Sequence, residues 1–334
     1  MTKVFINGFG RIGRSVLRAW ALGGAPAVQI VGINDITSAE MCAYLFEFDS
    51  VFGPWAGNVS LTASALVVDG CEIPLYCAPD ISTLDLSGVD VVMECTGRAD
   101  TGAVATRGLN AGAKRVLISG PATCADVTIV LGANEAALDG QTIVSNASCT
   151  TNALAPLVKV IDEHWGVVTG SMTTIHCYTG SQPTVDAPAA DFARSRAAAL
   201  SMVPTTTSAQ RLLDLVLPQM AGRIEASAVR VPTASVSAVD LAVMTERPTT
   251  AEAVNRVLRM AGGVIGAGGV IGTTDKALVS SDLRARRESI VMALPETRVT
   301  KGGLLRVFGW YDNEWGFSNR MLDVAELMAP KTRS

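Results

Sequence analysis

Cys149 stands in Ser145-Asn146-Ala147-Ser148-Cys149-Thr150-Thr151-Asn152, where a strand pattern ends in small polar residues and a helical pattern begins at or just after the cysteine. A thiol at a helix N-terminus meets free backbone N–H groups and the positive end of the macrodipole. Both lower its pKa, so this placement makes a nucleophile. A second chemical pattern lies at the other end of the chain, in Gly8-Phe9-Gly10-Arg11-Ile12-Gly13. It follows a strand and opens a helix, the context in which G-x-G-x-x-G binds a dinucleotide. The first glycine permits a tight turn, the second lets the backbone approach a pyrophosphate, and the helix N-terminus offers N–H groups to the anion. Asp35 follows the next strand and is placed to bond a ribose diol. A carboxylate there repels a 2′-phosphate, which favours NAD over NADP. The alternative is a glycine turn in an α/β protein that binds no nucleotide.

Together, a cysteine nucleophile and a nicotinamide cofactor point to one reaction type. The thiol adds to an aldehyde, and the hemithioacetal loses hydride to leave a thioester. That chemistry needs a general base, and the chain has only two histidines. His164 falls at the end of a helical pattern, in a solvated or partly packed position. His176 ends an apolar strand just before an irregular segment, where site residues gather. Taken alone it fits a satisfied core histidine equally well; beside a cysteine nucleophile it is the candidate base. Thr96 and Gly97 end another strand on the edge of the sheet where ligands bind, although Thr96 by itself fits an ordinary turn equally well.

The elements that must carry these groups divide the chain. Residues 4–7, 11–22 and 29–34 read as strand, helix and strand. Further strand-like runs fall at 66–68, 89–94, 115–118, 127–131 and 142–145, with a helix expected over 101–111. Alternation of this kind implies a Rossmann-type, doubly wound, mostly parallel sheet over residues 1–148. After a helix at 150–165, long β-branched runs follow at 167–177, 223–231, 235–245, 289–294 and 304–311, with a helix at 250–261. These favour a mostly antiparallel sheet with helices on one face, an α+β catalytic domain over 149–315. A C-terminal helix at 316–334 is expected to join the first domain. Residues 178–204 are too long and irregular for a plain connection and read as a functional or interface loop.

Composition narrows the classes. With 49% hydrophobic and 17% charged residues the chain is globular rather than disordered. A net charge of −4 and the lack of a long basic run argue against nucleic acid as a partner. No run approaches 18 apolar residues and the start reads as a strand, so neither a membrane span nor a leader is expected, which points to the cytoplasm. Seven cysteines without a C-x-x-C pair fit neither a disulfide framework nor a zinc site, and no metal site is expected. Six of them (Cys42, Cys71, Cys77, Cys95, Cys124, Cys177) read as small buried hydrophobes.

The chain resembles the phosphorylating, NAD-dependent glyceraldehyde-3-phosphate dehydrogenases. The resemblance is carried by NGFGRIGR at 7–14, Asn34-Asp35, residues 48–53, SNASCTTN at 145–152, His176, residues 204–207, residues 230–232 and WYDNEWGFS at 310–318. It implies Cys149 as nucleophile and His176 as base. Gly8, Gly10, Arg11, Ile12, Gly13, Asp35, Thr96, Gly97 and Ser119 would hold the cofactor, and Asn313 the nicotinamide carboxamide. It further implies one anion pocket for inorganic phosphate at Ser148, Thr150, Thr207 and Ser208, and a second for the substrate's own phosphate at Thr179, Arg194 and Arg230. Taken without the family, Arg230 reads as a surface ion-pair partner. The implied assembly is a homotetramer with the 178–204 loops near its centre, and Pro188 in that loop agrees with NAD.

Several positions depart from the family's usual pattern. Gly180-Ser181 stands for Asn-Asp, Ser208 for Gly, Phe52 for His, Ala153 for a second Cys, Phe317 for Tyr, and Cys77-Ala78 where an arginine is common. These keep two relatives in view, an erythrose-4-phosphate dehydrogenase and a paralogue that takes arsenate in place of phosphate. A scaffolding role that had outlived the enzyme predicts loss of the cysteine or the base, and both are present.

Overall fold

The computed structural model describes residues 1–99, 102–189, 191–262 and 269–329. The chain divides into two units. The first comprises Met1–Ile129, Glu135–Ala147 and the segment from Ser318 onward; the second comprises Val130–Asn134 and Ser148–Phe317.

In the first unit the order is β1 (Thr2–Asn7), α1 (Arg11–Ala21), β2 (Val28–Asn34), α2 (Ala39–Glu47), β3 (Val59–Leu61), β4 (Ala65–Val68), β5 (Cys71–Tyr76), β6 (Val91–Glu94), α3 (Gly102–Ala105), α4 (Arg107–Asn110), β7 (Arg115–Ile118), β8 (Val127–Thr128) and β9 (Ile143–Ser145). The sheet runs β3-β4-β5-β2-β1-β6-β7-β9-β8. Every pair from β5 across to β8 is parallel. Central strands such as β1, with Val4, Phe5 and Ile6 buried, are apolar on both faces because both are covered. The strand at 66–68 is not part of the parallel set: β4 pairs antiparallel with both β3 and β5, making a meander at the edge.

Other expectations also shift. The run at 127–131 yields only the two residues of β8. The helix expected at 101–111 is two short segments, α3 and α4, and Thr101 lies outside the described residues. Among the described residues seven elements carry no sequence expectation: α2, β3 and β5 here and, in the second unit, the strands at Val203–Thr205, Ile271–Thr274 and Arg298–Val299 and the helix at Ala209–Val216.

The second unit follows with α5 (Cys149–Trp165), β10 (Val167–Cys177), β11 (Val203–Thr205), α6 (Ala209–Val216), β12 (Ile224–Val231), β13 (Ser237–Thr245), α7 (Ala251–Ala261), β14 (Ile271–Thr274), β15 (Ile290–Ala293), β16 (Arg298–Val299) and β17 (Leu304–Tyr311); α8 (Trp315–Leu327) begins in this unit and from Ser318 onward belongs to the first. The sheet order is β11-β12-β10-β13-β17-β15-β14, with β16 beside β17. It is mostly antiparallel, with two parallel pairs, β10 with β12 and β14 with β15. The last residues of the helix expected at 316–334 (330–334), and Ala190 in the 178–204 loop, lie outside the described residues.

Candidate active site

Each glycine of the first turn has a different physical reason. Gly8 sits at φ +94°, and a Cβ there would lie 2.7 Å from the backbone nitrogen of Thr96. A Cβ on Gly13 would lie 2.1 Å from the Gly8 carbonyl oxygen, so the helix can pack on its own turn only as glycine. Above Gly10 a Cβ would meet no protein atom. That open space belongs to a cavity of about 310 Å³ lined by Gly8, Gly10, Asp35, Thr96 and others. Asp35 is bolted to the turn, since one carboxylate oxygen accepts from the Phe9 N–H at 2.7 Å and the other from the Thr37 N–H at 2.9 Å. Each oxygen keeps a lone pair for a diol.

Contacts unforeseen in the sequence fix the carboxyl edge of the sheet. Buried Glu94 accepts from Asn7 Nδ2 at 2.6 Å, from the Thr96 N–H at 3.0 Å and from the Thr96 hydroxyl. Asn34 donates to Asn7 Oδ1 at 2.9 Å and to the Ala78 carbonyl at 3.0 Å. Gly97 and Ser119 line a neighbouring cavity of about 240 Å³. The Arg11 guanidinium pairs with Asp49 and lies over the Phe52 ring, 5.6 Å from its centroid. Ile12 is partly exposed on the first turn of α1.

Gly10 offers a separable test. Gly10→Ala leaves the melting temperature unchanged, because nothing in the protein is displaced. NAD⁺ affinity falls on the order of tenfold, as expected when a methyl group occupies ligand space at a cost of about 1–3 kcal/mol. Gly8→Ala lowers the melting temperature as well, through its positive φ and the backbone clash. Titration calorimetry and thermal unfolding on both variants check the contrast.

In the second unit Cys149 is the first residue of α5, and Ser148 caps the helix by accepting the Thr151 N–H at 3.1 Å. The chain turns into this helix through buried Ala147 at φ +55°, a conformation disfavoured for a residue with a side chain. Cys149 Sγ lies 3.7 Å from Nε2 of His176, which is buried at the end of β10. The parallel register sets Arg230 of β12 opposite His176. Arg230 Nη1 is 2.7 Å from His176 Nδ1 and 2.9 Å from the Cys177 carbonyl oxygen, which lies 2.7 Å from the same Nδ1. Arginine only donates, so Nδ1 either accepts from Arg230 or carries a proton to the Cys177 carbonyl. The second arrangement leaves Nε2 free to accept the thiol proton.

The electrostatics differ from the sequence expectation of a lowered thiol pKa. Burial pushes the Cys149 thiol up, and the Thr150 hydroxyl and N–H, with Arg230, pull it only part of the way back. For His176, burial and the Arg230 charge bring the imidazole down to about 4. Both shifts favour the uncharged forms, a thiol facing an imidazole whose Nε2 is able to take the thiol proton.

The remaining candidates are placed as follows. Thr150 Oγ1 is 2.9 Å from the Tyr311 hydroxyl, which is also 2.8 Å from Thr174 Oγ1. Thr207 and Ser208 lie at the start of α6, where Thr207 accepts the Ala209 N–H at 3.1 Å; α6 packs on α5. Ser208 has φ −78°, so nothing there requires the family's glycine. Arg194 donates to the Thr205 hydroxyl, and the Thr179 hydroxyl bonds that of Ser181 at 3.0 Å. Asn313 accepts from Cys177 and Ser237. Tyr311, whose hydroxyl links α5 to β10 and whose ring meets that of His176 edge-on at 6.0 Å, went unremarked within 310–318.

Residues 2–102 match the model for the glyceraldehyde 3-phosphate dehydrogenase NAD binding domain and residues 148–313 that for its C-terminal domain. The chain belongs to the glyceraldehyde-3-phosphate dehydrogenase family. It is 45% identical to a glyceraldehyde-3-phosphate dehydrogenase of Xanthobacter flavus over 329 residues and 46% identical to one of Cereibacter sphaeroides over 328, covering 98% of each chain in both comparisons. It is also 44% identical to glyceraldehyde-3-phosphate dehydrogenase 1 of Bacillus subtilis, again over 98% of both chains. The family's cofactor fits the residues present: the open space above Gly10, at the N-terminus of α1, and the anchored Asp35 form a cradle for a dinucleotide. Among the described residues no helix is long and apolar enough to cross a membrane, and no group of three or more His, Cys, Asp or Glu is placed to hold a metal ion.

Proposed function

We propose that the protein oxidises glyceraldehyde 3-phosphate to 1,3-bisphosphoglycerate with NAD⁺ and inorganic phosphate. The observation that carries this reading is the Cys149 thiol 3.7 Å from His176 Nε2 at the head of α5, in a chain of this family. Gly8, Gly10, Gly13 and Asp35 hold the cofactor, Thr96, Gly97 and Ser119 border it, and Arg11 and Ile12 supply the first turn of α1. Bound NAD⁺ supplies the hydride acceptor.

Cys149 attacks the aldehyde carbon and its proton passes to His176 Nε2, forming the hemithioacetal as its oxyanion, and that proton returns to the thiolate when the thioester is opened. The Cys149 backbone N–H, at the helix start, stabilises the developing oxyanion. Loss of hydride from the same carbon leaves a thioester on Cys149. Thr179, Arg194 and Arg230 hold the substrate's phosphate, and a dianion on Arg230 offsets the cation that otherwise opposes protonation of His176. Ser148, Thr150, Thr207 and Ser208 deliver inorganic phosphate, which opens the thioester and releases the acyl phosphate. Two anion sites divide the work of positioning substrate and nucleophile.

The relatives bear the triose name, which favours this substrate over the four-carbon sugar phosphate. The test is NADH formation from glyceraldehyde 3-phosphate with phosphate, with arsenate and with neither, and with erythrose 4-phosphate as competitor. Fast turnover of the triose that requires phosphate supports the reading. Preference for the tetrose, or steady turnover without an oxyanion, overturns it.

The 178–204 loop exposes Val185 at 72%, Phe192 at 98%, Leu200 at 83% and Met202 at 74%. So much exposed apolar surface in one loop supports its burial between subunits; we propose that the assembly is a homotetramer and that the protein is cytoplasmic. Sedimentation of the wild type against Phe192→Asp, which should dissociate the assembly, checks that part.

A further inference from the structure

Cys177 follows the candidate base directly and is buried, and each of its polar groups is engaged. Its N–H donates to Ser237 Oγ at 3.1 Å, its carbonyl accepts from Arg230 at 2.9 Å, and its Sγ lies 3.1 Å from Asn313 Oδ1. Ser237 Oγ is 3.3 Å from the same Asn313 oxygen. The direction of these bonds follows from the donors. A backbone N–H can only donate, so Ser237 Oγ accepts there and has its own proton to give to Asn313. Burial pushes the Cys177 thiol up to about 12, so it also keeps a proton to give. Two donors converge on one amide oxygen, which turns the Asn313 carbonyl inward. Among the described residues the Asn313 amide nitrogen has no hydrogen-bond partner.

We propose that Cys177 and Ser237 are positioning residues that lock the Asn313 amide with its NH₂ presented to the ligand, so that the site recognises the carbonyl oxygen of the nicotinamide carboxamide rather than its amide nitrogen. The inference rests on the reading of Asn313 as the carboxamide contact. Cys177 then has a structural and directional task, unlike the inert hydrophobe its type indicates.

The test is calorimetric binding to the apoprotein of NAD⁺ and of its 3-acetylpyridine analogue, which keeps the carbonyl and lacks the amide nitrogen. Wild type should bind both within about threefold of each other, since the contact uses the group they share. Cys177→Ala should weaken both by roughly three- to tenfold, the size of one neutral hydrogen bond, while Cys177→Ser, which keeps a donor, stays within about twofold of wild type. Ser237→Ala removes the other donor and should weaken both similarly, which covers a Cys177→Ala protein that folds poorly; thermal unfolding identifies that case. The proposal fails if wild type rejects the analogue, or if both Ala variants bind like wild type while Asn313→Ala weakens both ligands. If Asn313→Ala itself leaves NAD⁺ affinity unchanged, the reading of Asn313 fails and the proposal falls with it.

Discussion

Cys149→Ser abolishes aldehyde oxidation, with a fall in turnover on the order of 10⁴-fold or more, and leaves NAD⁺ affinity within about twofold of wild type. The hydroxyl fills nearly the same volume, and the cap between Ser148 and Thr151 does not involve the altered atom, so α5 stays in place. What is lost is a group that ionises within reach of an imidazole. A serine hydroxyl facing His176 lacks the nucleophilicity of sulfur and forms no thioester for phosphate to open. The glycine turn and Asp35 belong to the other unit, so binding persists. Stopped-flow NADH absorbance and titration calorimetry on the same preparation separate the two effects. Full turnover in this variant rules Cys149 out as the nucleophile.

His176→Asn should lower the rate of acylation by roughly 10²- to 10⁴-fold, the usual contribution of a general base. Asparagine keeps a polar group near Arg230 but offers nothing at the Nε2 position able to take the thiol proton. The pH dependence gives an independent sign. Because burial and Arg230 hold the imidazole down to about 4, it is neutral and competent through the neutral range. In the wild-type free enzyme the acid limb belonging to His176 falls near pH 4, where the ring takes a proton from solvent and can no longer accept one from Cys149. His176→Asn lacks that limb. Burst rates at saturating substrate read the amplitude of the loss, and the apparent second-order rate at subsaturating substrate, recorded from about pH 3 to 8, reads the missing inflection of the free enzyme. An unchanged burst rate at saturating substrate rejects the assignment.

The parts of this protein legible in the sequence are those governed by short-range physics. Gly8 is required by its positive φ and Gly13 by the Gly8 carbonyl one turn back, and the pattern G-x-G-x-x-G announces both. Ser148 caps α5 one residue before Cys149, the proposed nucleophile, and small polar residues between a strand and a helix announce that too. The doubly wound unit follows from alternation of apolar strands and helices. The edge meander of β3, β4 and β5 does not, because an apolar run of four residues states that it is a strand but not which way its neighbour runs.

The sequence by itself determined the residue types capable of the chemistry, the local conformations around Gly8 and Cys149, and the division into a nucleotide-binding part and a catalytic part. Only the tertiary structure decided who stands beside whom. The parallel pairing of β10 with β12 sets Arg230 against His176, and the antiparallel pairing of β13 with β17 leads Ser237 and Asn313 to Cys177, across 60 and 136 residues of chain. Strand order and register fix such neighbours, and neither is encoded near the residues concerned. The same holds for the protonation of Cys149 and His176. The helix N-terminus is a local feature, but the burial that outweighs it exists only once the chain has folded around the site.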